Sequence, residues 1–171
     1  MQPVDVRLNA EYSTNLVLIN FMLRIGKLTD YGIDLLTLFV ADKRGFGVSG
    51  VSASELSRQS GVPLPTVSKV CKLLARAGLL IGSRGATGGY RLAHDPTEIS
   101  LADVVRALEG PIALTDCLAS SGTCAVEQTC KTRANWSHVN THVLRSLESI
   151  TVADMHQASL STKSRKWHVQ A

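Results

Sequence analysis

Between Ser52 and Ala93 the chain carries a run of helix and turn signals that very few architectures accommodate. Ser52-x-x-Glu55 has the form of a capping box, in which the serine oxygen accepts the N3 amide and the glutamate reaches back. It predicts a short helix two that ends at Gly61. Gly61-Val62-Pro63-Leu64 then makes a tight turn, and Pro65 suits the first position of a third helix, expected over Pro65 to Ala77 and closed by Gly78. In that helix Val67, Val70, Cys71 and Leu74 repeat at core-facing spacing, while Ser68, Lys69, Lys72 and Arg76 lie opposite. Leu79 to Ser83 and Tyr90 to Ala93 read as two short strands around the glycine-rich loop Arg84-Gly85-Ala86-Thr87-Gly88-Gly89. Upstream, Leu28 to Asp42 reads as helix one, with Thr29 as N-cap and an apolar stripe of Tyr31, Leu35, Leu38 and Phe39. Gly45-Phe46-Gly47 and Gly50 mark the loop that follows it. Helix, helix, turn, helix, hairpin is the order of a winged helix-turn-helix.

Downstream of this unit, Ser100-x-x-Asp103 resembles a second capping box and opens helix four, with Leu101, Val104, Val105 and Leu108 on one face and Gly110-Pro111 as its stop. A loop with three cysteines comes next, Cys117-x6-Cys124-x5-Cys130. From Lys131 to about Met155 the longest periodic segment carries one stripe of Trp136, Val139, Val143, Leu147 and Ile150, expected to be a single long dimerisation helix. The fold class is therefore mainly α, a winged helix-turn-helix followed by a long C-terminal dimerisation helix. The expected organisation is a DNA-binding unit over 22–96, then helix, cysteine loop and dimerisation helix over 97–155, and a polar, basic, disordered tail over 156–171. Residues 1–21 match nothing that follows. Met22 stands just before the periodic pattern begins, so 1–21 read as a non-native extension upstream of a start at Met22, or else as a flexible arm.

Charge is distributed unevenly. From Leu56 to His94 there are six basic residues (Arg58, Lys69, Lys72, Arg76, Arg84, Arg91) and no acid, whereas Asp95 to Asp116 holds five acids against Arg106 alone. A polyanion would meet one basic face. The aromatic content of 5% argues against gripping single strands by base stacking. No apolar run approaches the ~20 residues of a membrane span, and Leu16 to Leu23 is too short and lacks a cleavage signature. The expectation is a cytoplasmic protein with no membrane partner and with reduced cysteines.

Thiols gathered at such density usually bind metal or do redox chemistry. Iron–sulfur clusters are held mainly by thiolates, and Cys117, Cys124 and Cys130 on a loop containing Gly122 can wrap one. Zinc is the competing metal, although structural zinc sites favour short Cys-x2–4-Cys pairs that are missing here. A thiol switch without cofactor is the remaining alternative. Cys130 is expected at the start of the long helix, where the helix dipole, Lys131 and Arg133 favour its thiolate. Cys71, on the apolar face of helix three, reads as a core residue.

The candidate DNA contacts are Thr66, Ser68, Lys69, Lys72 and Arg76 on helix three, with Arg84 and Arg91 on the wing. A helix fits the major groove, where Lys72 or Arg76 can reach guanine edges while Ser68 or Lys69 holds phosphates. The wing arginines suit phosphates or an adjacent minor groove. A phosphate-cradling reading of Gly85, Gly88 and Gly89 lacks the following helix and the Lys-Ser/Thr pair it needs. His138 and His142 stand at i, i+4, which is metal-ligand spacing and equally the polar flank of a dimer helix, the reading preferred here. Asp30 and Asp34 share a helix face, yet no pocket signature supports catalysis, and no enzyme is expected.

Met22-Leu23-Arg24-Ile25-Gly26-Lys27-Leu28-Thr29-Asp30-Tyr31-Gly32, Ala77-Gly78-Leu79-Leu80 with Arg84-Gly85, and Gly88-Gly89-Tyr90-Arg91-Leu92-Ala93 together resemble the winged-helix iron–sulfur regulators of bacteria. That family includes IscR-type assembly regulators and NsrR-type nitric oxide sensors, and the first motif is similar to the subgroup that regulates SUF cluster-assembly genes. The three cysteines sit where this family holds its cluster. IscR-type proteins usually have five residues between both cysteine pairs and a histidine three positions after the last cysteine. Here the first gap is six residues and Arg133 takes the histidine's place, which leaves the fourth ligand and the cluster type open. The resemblance implies a homodimeric DNA-binding regulator of double-stranded operators that senses iron–sulfur cluster status (2Fe–2S favoured, 4Fe–4S the alternative) and controls SUF assembly genes. Its nearest rival is a nitric oxide- or redox-responsive repressor. In NsrR-type relatives an aspartate near the start of helix one reaches the partner subunit's cluster, and Thr29-Asp30-Tyr31 matches that motif, making Asp30 the candidate fourth ligand. From another class, a cysteine-dependent enzyme would use Cys124 or Cys130 as nucleophile with His138 or His142 as base, within hydrogen-bond reach of each other.

Overall fold

The computed structural model describes residues 25–42, 50–85, 88–120, 122 and 124–163. Residues 1–21, with Met22 and the Gly45-Phe46-Gly47 turn, lie outside the described residues. In chain order come helices α1 (Lys27–Ala41), α2 (Ala53–Ser60) and α3 (Leu64–Arg76), strands β1 (Leu80–Ser83) and β2 (Gly89–Leu92), then α4 (Leu101–Glu109), α5 (Asp116–Ala119), α6 (Arg133–Glu148) and α7 (Val152–Lys163). The mainly helical winged architecture expected from the sequence is present.

α1 lies at the centre, packed against α2, α3, α4 and α7. Its Leu35, Leu36 and Phe39 are fully buried, and burying each such side chain contributes ~1.5–3 kcal/mol relative to exposure. Tyr31 and Leu38, expected in the stripe, pack only partly buried against this core. Thr29 does not cap the helix. Gly26 occupies the N-cap, and Thr29 is fully buried, its hydroxyl donating to Glu109 Oε1 at 2.6 Å. The same carboxylate oxygen accepts the Gly26 N–H at 2.8 Å, so the last residue of α4 caps α1 from outside its own segment.

α2 opens with the serine half of the expected capping box, Ser52 Oγ accepting the Glu55 N–H at 3.2 Å. The Glu55 carboxylate receives Arg58 and Gln59. Gly61 closes α2 in the left-handed region (φ 73°), where a side chain would be strained. α3 buries Val67, Val70, Cys71 and Leu74, as its spacing requires. The wing is an antiparallel pair with Leu80 opposite Leu92 and Ser83 opposite Gly89. Val51 bridges to Tyr90 as a third contributor, and a Cβ on Gly89 would stand 2.6 Å from Val51 O, so this approach needs glycine.

Ser100 and Asp103 form the full reciprocal capping box of α4. The long C-terminal helix is not continuous, which corrects the expectation of one helix from Lys131 to Met155. α6 begins at Arg133 and ends at Glu148, and the backbone at Ile150 and Val152 turns to pair with the segment before α4. Ile150 O accepts the Leu101 N–H, and the Val152 N–H donates to Ile99 O, both at 2.9 Å. A new cap follows: the Thr151 N–H and hydroxyl donate to Asp154 Oδ2 at 2.9 and 2.7 Å, and the Asp154 N–H donates to Thr151 Oγ1 at 3.2 Å. These bonds hold the Asp154 carboxyl below its usual range. The tail from His156, expected to be disordered, is helical to Lys163 because α7 packs on α1 and buries Val152 in the common core.

Glu109 joins α4 to the start of α1 and accepts the hydroxyl of the buried Thr29, so Glu109→Ala is expected to lower stability by about 1–2 kcal/mol. Glu109→Gln, which keeps an acceptor, should cost less. Urea denaturation followed by circular dichroism reads the difference, and equal stability of Glu109→Ala and wild type would show that Thr29 finds another acceptor at no cost.

Candidate nucleic-acid interface and cysteine loop

At 100° per residue, Lys69, Lys72 and Arg76 fall on one line of α3, roughly opposite the buried Val67, Val70 and Leu74. All three basic side chains are exposed, with Ser68 and Thr66 half-buried beside them. No acid stands in the first turn of α3. Arg84 is exposed at the tip of the wing, and Arg91 is half-buried on β2, paired across the hairpin with Ile81. Arg84 and Arg91 are carried by the hairpin, and Lys69, Lys72 and Arg76 by a helix whose back is locked into the core. Cys71 belongs to that back: burial pushes its thiol up to about 12, which leaves it inert as a metal ligand at neutral pH.

The cysteine segment is built differently. Cys117 lies in α5, a single helical turn within the expected loop, with its Sγ 3.4 Å from Thr115 Oγ1. Asn140 of α6 clasps the chain just before it, accepting the Leu114 N–H at 3.0 Å and donating to Ile112 O at 3.3 Å. Cys130 precedes α6 rather than beginning it, three residues before Arg133. The Thr132 hydroxyl, the Thr132 amide and then Arg133 hold its thiol below the usual range. The thiolate at Cys130 is favoured as expected, with a threonine contributing more than the expected lysine and arginine.

Sequence reasoning missed Glu127. Its carboxylate, only 12% exposed, pairs with Arg133 at 2.8 Å and accepts the Gly122 N–H at 2.6 Å. With Cys124, Gln128 and Arg133 it lines a cleft of about 600 Å³. The only sequence signal was an acid between the last two cysteines, six residues before an arginine, a spacing with no helical meaning.

All four cysteines are free, and Cys117, Cys124 and Cys130 are half-buried. Among the described residues no three His, Cys, Asp or Glu side chains converge as a metal-binding group. The donor chemistry nonetheless fits a thiolate-held cofactor: three unpaired thiols, one of them biased to thiolate, on a segment with glycine at φ 83° (Gly122). Asp30 is exposed in the first turn of α1. His138 and His142 touch each other on α6. No helix among the described residues is long and apolar enough to cross a membrane.

A family model described as "Iron-dependent Transcriptional regulator", Rrf2, matches residues 25–158. The chain belongs to the Rrf2 family. It is 34% identical to Protein rrf2 of Nitratidesulfovibrio vulgaris over 115 residues, covering 67% of this chain and 77% of that protein. An rrf2-like HTH-type transcriptional regulator of Rhodobacter capsulatus is 28% identical over 130 residues, covering 73% of this chain and 87% of that protein. Among solved structures, CymR, described as the global cysteine regulator of B. subtilis, superposes with a TM-score of 0.59 at 26% identity, covering 80% of this chain and 98% of its own. T. potens IscR superposes with a TM-score of 0.58 at 27% identity, covering 87% and 94%. This Rrf2 protein is thus a DNA-binding transcriptional regulator, and the cysteine-enzyme alternative is set aside.

Thr132→Val is expected to raise the Cys130 pKa toward the ordinary thiol value and to slow its alkylation at neutral pH, because the first cause of its depression is removed. Cys71 should stay unreactive until the protein unfolds. Iodoacetamide labelling across pH with peptide mass spectrometry checks both, and an unchanged Cys130 profile in Thr132→Val would assign the effect to the α6 terminus instead.

Proposed function

We propose that this Rrf2 regulator is a cytoplasmic homodimer that senses iron–sulfur cluster status and controls iron–sulfur (SUF) assembly genes through a double-stranded operator. The observation that carries the reading is the set of three free, half-buried thiols on the segment between α4 and α6, with Cys130 held toward thiolate. Cys117, Cys124 and Cys130 would hold the cluster, with 2Fe–2S favoured and 4Fe–4S the alternative, and Asp30 of the partner subunit is proposed as the fourth ligand. When bound, the cluster supplies an oxidant- and small-molecule-sensitive group whose loss alters what the thiols bind. An aspartate oxygen is a harder, weaker ligand than thiolate, which makes that position the one most easily vacated.

Support for the dimer comes from α6, which buries none of its residues within the chain. Trp136 is 45% and Val139 43% exposed, an apolar surface of the kind a second copy would cover. Two-fold symmetry would set two α3 helices one DNA turn apart, or a multiple of it. Ligation by the three cysteines orders the segment between α4 and α6 and so shifts the spacing of the two DNA-binding heads. Release of the thiols relaxes it. A nitric oxide- or redox-responsive repressor is the second reading, favoured by the accessible, thiolate-biased Cys130.

Lys72→Ala or Arg76→Ala is expected to weaken operator binding by ~1–3 kcal/mol and relax specificity at one base pair if the residue reads a base. Loss of a phosphate contact at Lys69 or Ser68 should weaken all sequences alike. Fluorescence anisotropy against salt concentration measures both, and wild-type binding by Lys72→Ala and Arg76→Ala together would remove α3 as the reading helix.

The cofactor is tested by visible and Mössbauer spectra of anaerobically purified protein, with iron and sulfide content. Colourless protein with stoichiometric zinc would sink the cluster reading. Asp30→Ala should shift the cluster's absorption and speed its loss in air, with a smaller effect from Asp34→Ala. Spectra unchanged in Asp30→Ala but altered in a His138 or His142 variant would move the ligand to α6.

A further inference from the structure

In the middle of α6, His138 and His142 meet edge to face, with ring centroids 4.5 Å apart at 80° and their Nε2 atoms 3.2 Å apart. Both side chains are exposed. The i, i+4 spacing stacks the two rings on one helix face. The short Nε2–Nε2 distance says more than the spacing does, because it brings two nitrogen donors together at one point. A transition-metal ion ~2.1 Å from each nitrogen would subtend roughly 100° at that separation, between the cis-octahedral and tetrahedral angles.

Hydrogen bonds on either side of the pair position the helix that carries it. Asn140, between the two histidines in sequence, is clasped to Leu114 and Ile112, and Thr141 and Ser146 hydroxyls bond back to the Ser137 and His142 carbonyls. By helical angle the pair lies roughly 100–140° from Val143 and roughly 60–100° from Val139, on the flank of the apolar line of α6. Helical spacing also places Arg145 below the pair; its charge opposes a cation and limits the affinity. The donors are imidazoles, whereas the cysteine loop offers thiolates, so the two sites differ in the softness that sorts metals.

We propose that His138 and His142 form a bidentate site for a divalent transition-metal ion of the nickel–copper–zinc class, its remaining positions filled by water. Because the two donors sit one turn apart on α6, a bound ion cross-links that turn and stabilises the helix on which the proposed dimer surface lies.

The test is a nickel(II) titration of the full chain, kept anaerobic and free of other metals, read by calorimetry and by X-ray absorption for the ligand type. Wild type is compared with His138→Gln, His142→Gln and a Cys117→Ser/Cys124→Ser/Cys130→Ser variant. The expected result is one nickel with two imidazole ligands, weakened on the order of 10–100-fold in each glutamine variant, since the second donor binds intramolecularly. Binding and ligation should be unchanged in the triple serine variant, even if that variant no longer holds a cluster. Nickel bound equally well by either glutamine variant, or lost with the cysteines while the histidines remain, would overturn the proposal.

Discussion

The burial of α1 is the constraint from which the rest of the structure follows. Leu35, Leu36 and Phe39 are fully enclosed, and the helix touches α2, α3, α4 and α7. A helix enclosed on so many sides cannot shift without opening several interfaces at once, because protein interiors are close-packed. It fixes α3, whose outer line carries Lys69, Lys72 and Arg76, relative to α4, from which the cysteine segment departs. The Glu109 carboxylate adds a directional tie, satisfying two donors at the start of α1 from the end of α4. α3 and the start of the cysteine segment therefore both depart from one packed body.

Beyond that body the chain is held by polar contacts more than by burial. α6 buries no residue; it leans on α4 through the Arg106–Glu148 ion pair at 2.9 Å and on the segment after α4 through the Asn140 clasp. That exposed ion pair contributes little by itself, since such pairs seldom exceed ~1 kcal/mol. The cysteine segment between α4 and α6 has the Glu127–Arg133 pair in place of an apolar core. Elements held this lightly are the ones that can be reset by a ligand at small free-energy cost. The segment with the three clustered thiols lies where the structure is least committed, and α3 where it is most committed.

The winged unit was legible because its signals are local. Ser52-x-x-Glu55, Gly61, Pro65 and Gly78 each act within a few residues, and the apolar spacing of Val67, Val70, Cys71 and Leu74 determined which face of α3 turns inward. Thr151-x-x-Asp154 was an equally local capping signal, yet the apolar stripe running through Ile150 concealed it. Thr29 shows the reverse error: a residue of capping type before a helix was assigned a local role, when its partner stands 80 residues away.

Sequence by itself determined the helix order of the winged unit, the basic face of α3, the inert burial of Cys71 and the presence of three clustered thiols, since each depends on residue type and short-range spacing. Only the tertiary structure decided that α6 stops at Glu148, because the backbone of Ile150 and Val152 finds its hydrogen-bond partners on the strand-like segment before α4, a pairing between residues about fifty apart. It alone placed α7 against α1, set Glu127 beside Arg133 and brought the two Nε2 atoms of α6 together. Contacts of that kind depend on side-chain conformations and long-range register, which exist once the core has packed and leave no periodic trace in the chain.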